Sequence, residues 1–426
     1  MLSMDDNYPP RPLHLSATDA SALEELADQL VAETLKANDD LISQGRVVDA
    51  TRWKALKTKN NVTAYRARKR ASSGFRRERI ASDMTEAVPA SPQMPKLYDN
   101  HPSATYLDDE SDDEFQDDYS FGSFSEQNVL EKYRPSCVPL VISTGVIPGT
   151  IEDAGLGFFA DTEARSRMRH ASNKDIVADD VRVLARIHGP TQDDPFRFLG
   201  VKWCGHTNPG AVGRFIKARD YVNIESTGMA LDADGNRFYY MLIHTIDLDK
   251  VPDYRKFGYV RMTFSSCHIM RPTCTEGQIE LFSRGFMDTG GKVAERLCTY
   301  MYCDGLMGMP LTIEEAYTMK LIWLLRTQHS CGTSSICPDS SDTCQVCDHK
   351  LTSGLAKLLE SSLTCYLCRQ TMCRKCTLKK TLPLDIDNSG QVVEKTMDFC
   401  VSCYLEAKNT SAWEVAMDML SMNEQE

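Results

Sequence analysis

Four Cys-x-x-Cys pairs follow one another in the last quarter of this chain: Cys344/Cys347, Cys365/Cys368, Cys373/Cys376 and Cys400/Cys403. A two-residue gap lets both thiolates of a pair reach one ion, and zinc takes four such ligands in a tetrahedron. Eight thiolates therefore predict two structural zinc ions in closed sites. A closed site of four thiolates leaves no position for a catalytic water, so this module is expected to bind rather than catalyse. Cys331 and Cys337 fall outside the register and read as spare.

The rest of the chain favours metal over disulfides. Met1–Asp6 lacks the basic flank and apolar stretch of a secretory signal. No apolar run reaches the roughly 18–20 residues of a membrane-spanning helix. The expected location is cytoplasmic, where thiols stay reduced, and ten of the sixteen cysteines crowd after Ser330. A net charge of -12 argues against a nucleic-acid partner, which needs a basic face. No nucleophile elbow, P-loop, dinucleotide fingerprint or His-Glu-x-x-His is present, so no enzyme activity is expected.

Hydrophobic periodicity divides the chain before the cysteines. Residues 1–15 read as a disordered N-terminus. A helix is predicted over 16–44, opened by Ser16-x-x-Asp19 and carried by Leu23, Leu26, Leu30 and Val31. Trp53–Lys57 and the alternating Val62–Tyr65 follow. An insert at about 68–132 begins with basic residues, Arg66 to Arg79, readable as a nuclear signal, an acidic-lipid contact or a solvated loop edge. It ends acidic: eight of the eleven positions from Asp108 to Asp118 are Asp or Glu. Such a stretch buries too little apolar surface to offset chain entropy and is expected to be disordered. Asp161–Arg169 reads as helical and Val181–Ala185 as a strand. Tyr221–Thr227, Phe238–His244, Tyr259–Phe264 and Ile279–Phe282 read as an antiparallel meander, with turn chemistry at Asp232–Asn236 and Thr275–Gln278. Helices are predicted at about 292–303 and 312–326. The cysteine-rich segment spans 331–410, with a C-terminal tail at 411–426.

Strands followed by a strongly apolar helix predict an α+β fold, a curved antiparallel sheet over a C-terminal helix, beside a small two-zinc module. Several segments carry a resemblance. Asp194–Trp203, Lys217-Ala-Arg-Asp-Tyr-Val222, Glu225-Ser-Thr-Gly228 and Arg284-Gly-Phe286 resemble START-like lipid-binding domains of the kind joined to FYVE-type zinc fingers. The resemblance spans about 18–328, with the acidic region as an insertion. It implies a helix-grip domain over 16–330 whose tunnel accepts one lipid, such as a sterol, phospholipid or sphingolipid. Candidate lipid contacts are Arg219, Tyr240, Met301, Tyr317 and Trp323. Apolar side chains at helical spacing are by default core, and a buried Arg219 must find a partner such as Asp220. His188, His206 and His244 are scattered and read as ordinary.

Cys365-x-x-Cys368-x4-Cys373-x-x-Cys376 and the ending Phe399–Tyr404 resemble the FYVE family. That resemblance implies interleaved pairs: Cys344, Cys347, Cys373 and Cys376 on one zinc, Cys365, Cys368, Cys400 and Cys403 on the other. The chain departs from members that bind phosphatidylinositol 3-phosphate, because Ser361–Tyr366 carries no cation or His and the Trp-x-x-Asp motif is absent. Arg369, Arg374 and Lys375 are candidate headgroup contacts, and Leu358 and Leu359 candidate membrane contacts. The expected function is a peripheral lipid-binding protein, docked by its finger on a phosphoinositide membrane, endosomal by family resemblance, or on a protein. The alternative is a scaffold with a collapsed pocket that recruits proteins through the finger and acidic insert. A RING-type ubiquitin ligase fits less well, because RING domains place a single Cys-His step where this chain has a double Cys-x-x-Cys.

Overall fold

The computed structural model describes residues 8–68, 105–106, 128–172, 178–206, 217–330, 342–351, 363–388 and 390–423. Leu358, Leu359, Cys331, Cys337, nearly all of the acidic stretch and most of the basic run lie outside them.

The chain opens with α1 (Ala17–Ser43), whose start is fixed by a reciprocal capping box between Ser16 and Asp19. Strands β1 (Trp53–Lys59), β2 (Val62–Ala67) and β3 (Thr105–Tyr106) follow, then a short α2 (Val129–Tyr133) and β4 (Val141–Pro148). Two helices come next, α3 (Ile151–Phe158) and α4 (Glu163–Ser172). The long strands are β5 (Ala178–His188), β6 (Phe198–His206), β7 (Arg219–Leu231), β8 (Arg237–Thr245), β9 (Val260–Arg261), β10 (Thr263–Pro272) and β11 (Gln278–Asp288). Helices α5 (Glu295–Met307) and α6 (Met309–Ser330) close the domain.

These strands form one sheet in the order β3-β1-β2-β4-β11-β10-β8-β7-β6-β5, antiparallel throughout, with β9 added parallel to β7. Gly235 at φ 80 makes the β7–β8 turn, in a region a side chain would strain. Period-two alternation then sorts the side chains. On β8, Phe238, Tyr240 and Leu242 join the core under α1, the outer face. Tyr239 and Met241 join the opposite core, with Ile243 packed against it, under α3, α5 and α6. This inner face is the one the helices grip.

The expected antiparallel sheet with C-terminal helices against it is present, and the contacts are shared among three helices. α5 lies over β11, β1 and β2, and α3 over β8, β10 and β7, while α6 rests mainly on α3 and reaches the sheet at β4. The close fit of α3 has a local cause. A Cβ at Gly155 would stand 2.8 Å from the Phe196 ring, and one at Gly157 would stand 2.1 Å from the Thr312 carbonyl oxygen.

Three sequence expectations need adjustment. The single strand expected at Tyr259–Phe264 is divided between β9 at Val260–Arg261 and the start of β10, which runs on to Pro272. α3 was not expected, although Thr150 and Asp153 form the same capping box as α1. The expected C-terminal tail contains a helix, α8, over Ala412–Asn423.

The cysteine-rich segment has two small hairpins, β12 (Leu363–Thr364) with β13 (Thr371–Met372) and β14 (Thr377–Ile386) with β15 (Val392–Cys400), then α7 (Val401–Asn409) and α8. Its core is continuous with the main domain. Leu321, Leu324 and Leu325 of α6 pack with Cys344, Cys365, Leu382, Phe399 and Cys403.

Candidate functional site

Two features concentrate chemistry: the cysteine segment and a buried charged cluster on the inner face.

The eight sulfurs gather into two groups, Cys344/Cys347/Cys373/Cys376 and Cys365/Cys368/Cys400/Cys403, with all ligand atoms of a group within 4.8 Å of one another. Pairs one and three therefore meet, as do two and four, which is the interleaving the resemblance implied. None of the eight is in a disulfide. Thiolates at about 2.3 Å from a tetrahedral zinc stand about 3.8 Å apart. Cys347 and Cys373 are 3.8 Å apart and Cys368 and Cys400 are 3.9 Å apart. The donor set fits, and each group can hold one metal ion.

The backbone builds both groups by the same device. In the first knuckle Cys344 N–H donates to the His349 carbonyl and Asp348 N–H to the Cys344 carbonyl; in the second Cys365 pairs with Gln370 and Arg369 likewise. The residue after each pair turns left-handed, Asp348 at φ 54 and Arg369 at φ 62. Arg369 is thus a turn residue, and its guanidinium lies 5.5 Å from the Tyr366 ring centroid. Arg374 and Lys375 sit in the 3-10 turn between Cys373 and Cys376. Amide N–H groups also point at sulfur: Cys400 donates to Cys365 Sγ and Cys403 to Cys400 Sγ, each at 3.3 Å. The second tetrad thereby caps α7.

On the inner face, Arg169 of α4 donates to both oxygens of Glu225 on β7, at 3.1 and 3.2 Å. Lys202 of β6 donates to Glu225 at 2.9 Å, to Ser166 Oγ at 3.2 Å and to the Ala160 carbonyl at 2.5 Å. Burial disfavours charge on Glu225, yet Arg169 and Lys202 hold its carboxyl down to about 2. Burial lowers Lys202 despite Glu225. Glu315 of α6 faces the same cluster, and burial raises it to about 7 against the pull of Arg169.

Beside the cluster is a cavity of about 20 Å³ lined by Ser166, Arg169, Lys202, Tyr221, Asn223 and Glu225, among others. That is room for one water or one hydroxyl. Asn223 Oδ1 on its wall is buried without a partner, as is the nearby Tyr239 hydroxyl. Further polar groups face inward on neighbouring strands. His268 bridges Ser283 Oγ at 2.8 Å and Ser266 Oγ at 2.9 Å. Burial pushes its imidazole down to about 4, so it is neutral at pH 7.

None of the five lipid-contact candidates lines this cavity, although Tyr317 is buried in the inner-face core and Trp323 packs against it. Arg219 donates to the Thr289 carbonyl at 2.9 Å and to Lys217, while Asp220 is bonded to Arg261 at 2.8 Å and to Trp203 Nε1 at 3.0 Å. Arg219 is therefore satisfied by backbone carbonyls, not by Asp220. Tyr240 points to the outer face, where Arg197 donates to its hydroxyl at 2.8 Å. Met301 is 41% exposed on α5. The Tyr317 ring lies 4.6 Å from Lys408 Nζ, and Trp323 Nε1 donates to Asp418 at 2.8 Å, so both face α7–α8. Sequence reasoning passed over Arg169, Lys202 and Glu225 as site residues. The available signal was charge at inward positions of strands that read as buried.

No protein-family model and no curated protein sequence matches the chain. Among solved structures it is similar to human StAR-related lipid transfer protein 5, with 12% identity, 70% of this chain and 96% of that chain covered, and a TM-score of 0.39. Human STARD10 gives 9% identity, 65% and 79% coverage and a TM-score of 0.34. The lipid transfer and protein localization domain of human StarD13 gives 10% identity, 66% and 95% coverage and a TM-score of 0.34. At such values the likeness adds nothing to the strand order and helix placement, on which the α+β helix-grip fold rests. Among the described residues no helix is long and apolar enough to cross a membrane.

Proposed function

We propose that the chain is a peripheral lipid-binding protein that acts by binding, not catalysis. Its helix-grip domain takes one lipid at the inner face, and its finger, FYVE-related and holding two zinc ions, docks the protein. The observation that carries this reading is the buried cluster of Arg169, Lys202, Glu225 and Glu315 beside a small cavity, under helices rather than at a surface. Burying charges is costly unless they are paired, and a buried titratable group with a strongly shifted pKa beside a cavity is a functional-site candidate.

The pairing also narrows the head group. Lys202 has spent its three protons, and Arg169 is engaged by Glu225 and the Phe158 carbonyl at 2.6 Å. At this site, among the described residues, the buried polar atoms without a partner include the Asn223 amide oxygen and the nearby Tyr239 phenol, beside space for one hydroxyl. A neutral, hydroxyl-bearing head suits this site better than a phosphate. On the docking side, Arg374 and Lys375 in the turn between Cys373 and Cys376 are candidate cations for a phosphoinositide membrane, endosomal by family resemblance; a protein partner is the other docking target.

A second reading has its own support. Side chains of α3, α5 and the sheet pack into one core on the inner face, which is the collapsed pocket of a scaffold. Native mass spectrometry of protein purified from eukaryotic cells separates the two. Two zinc ions plus one lipid, with a sterol or ceramide retained in preference to a phosphatidylserine, supports the lipid reading. Two zinc ions and no lipid after incubation with each supports the scaffold.

A further inference from the structure

The chain after the last cysteine pair returns to the main domain. α7 begins at Cys400, within the second tetrad, and its far end meets α6. The Tyr404 hydroxyl donates to Glu314 at 2.8 Å, and Lys320 Nζ donates to the Lys408 carbonyl at 3.2 Å. The same Lys320 donates to Asp153 of α3 at 2.5 Å. One buried ammonium thus ties α3, α6 and α7 together.

α8 then crosses the helix cover. Ala412, Val415 and Ala416 are buried in the inner-face core. Trp413 meets Phe196 edge-on at 5.7 Å, and Arg237 lies 5.6 Å from the Trp413 ring centroid. With the Trp323–Asp418 bond, α8 is fastened to α3, α6 and the β6 end of the sheet. The β14–β15 hairpin adds a tie at Lys380, 2.9 Å from Glu314.

The two tetrads differ in where they stand. In the first, Cys344 is buried, Cys347 is exposed and Cys373 and Cys376 are half-buried, so three of its four ligands reach the surface. In the second, Cys365, Cys400 and Cys403 are buried, and Cys400 is the N-cap of α7. The N-cap of α7 is itself a member of the second tetrad, while the first tetrad reaches α7 only through the β14–β15 hairpin, where Thr377 pairs with Cys400.

We propose that α7–α8 is a strap over the inner face, and that metal in the second tetrad holds it shut. Loss of that metal frees the strap, and with it α3 and the outer turn of α6. This rests on the lipid-binding reading only for what the opened face would admit. In the closed form the cavity has room for a hydroxyl and none for an acyl chain or ring system, so a lipid must enter through a displaced cover.

Hydrogen exchange on the full chain tests this, with three single variants and metal counted by native mass spectrometry. Cys403→Ser removes the second metal, Cys347→Ser the first, and Val415→Asp undocks α8 with both metals in place. Peptides over 151–158 are expected to exchange about tenfold faster in Cys403→Ser and Val415→Asp, and as in the parent in Cys347→Ser. α3 protection unchanged in Cys403→Ser that has lost one metal, or in Val415→Asp with two, would overturn the strap. Equal opening in Cys347→Ser would overturn its assignment to the second tetrad. Uptake of a fluorescent sterol is read in parallel: α3 opening without uptake keeps the strap and removes the lipid reading.

Discussion

Glu315→Gln should stabilise this protein above neutral pH, and the gain should vanish in mild acid. In the folded chain burial raises the Glu315 carboxyl to about 7, from 4.5 for an ordinary glutamate. A raised carboxyl favours its protonated form in the folded state. Its contribution is fully present below about 4.5 and is lost as pH climbs through 7. The difference of 2.5 units corresponds to about 3 kcal/mol at 1.36 kcal/mol per unit. The side chain keeps some contact with solvent, which trims the effect to about 2 kcal/mol. Gln is neutral throughout and keeps the shape. Urea unfolding of both proteins from pH 4 to 8.5 should show curves that nearly coincide at the acid end, separate between about 4.5 and 7, and stay a constant distance apart above that. Acid loss of thiolate ligation affects both proteins and cancels in the difference. A gap that does not vary with pH, or a less stable Gln variant at pH 8.5, would mean that Glu315 is ionised and usefully paired with Arg169. The reasoning from burial would then be refuted.

Other outcomes follow from the same physics. Lys320→Met strands Asp153 in the core and should cost about 3–5 kcal/mol in urea unfolding, because removing one partner of a buried pair leaves its charge uncompensated. His268 and His244 are both depressed by burial to about 4, so the stability they carry is present above pH 6.5 and lost as pH falls through 4. In the Glu315→Gln background, thermal unfolding should show that loss at up to about 3 kcal/mol per histidine. Leu321→Ala should cost about 2–5 kcal/mol and also weaken metal retention, measured by release to a colorimetric chelator, since Leu321 packs in the core that holds Cys344 and Cys365. Arg369→Gly relieves a left-handed residue and should stabilise the protein in urea unfolding, by about 1 kcal/mol at most.

The cysteine register was readable because ligand spacing is a local property: two residues between thiolates suffice to declare a knuckle. The cross-pairing was not local, and came from the resemblance. α1 was legible from its capping box and leucine repeat. α3 carries an equally good box at Thr150–Asp153, but it is short and its apolar residues run all round, so no face stood out. β10 hid for a related reason. Its inward residues include Ser266 and His268, which break the apolar alternation by which a covered strand is recognised. The charged cluster was obscured because its members come from α4, β6, β7 and α6, and only the folded sheet brings them together. Tyr240 shows the converse limit: aromatic content suggested a pocket wall, while strand parity sends it to the opposite face.

Leu321, Leu324 and Leu325 give the molecule an indivisible middle. Composition invites a cut between Ser330 and the first cysteine pair, yet the helix ending at Ser330 supplies one wall of the finger's interior. A fragment stopping there would leave these three leucines bare, and a fragment starting beyond it would have a hole where they belong. The two halves should melt as one, resist separation by limited proteolysis, and fail to complement when transplanted onto unrelated partners. Any orientation that the finger adopts on a membrane or a protein is then imposed on the sheet as well. The molecule would present its inner face at one fixed angle, without a swivel.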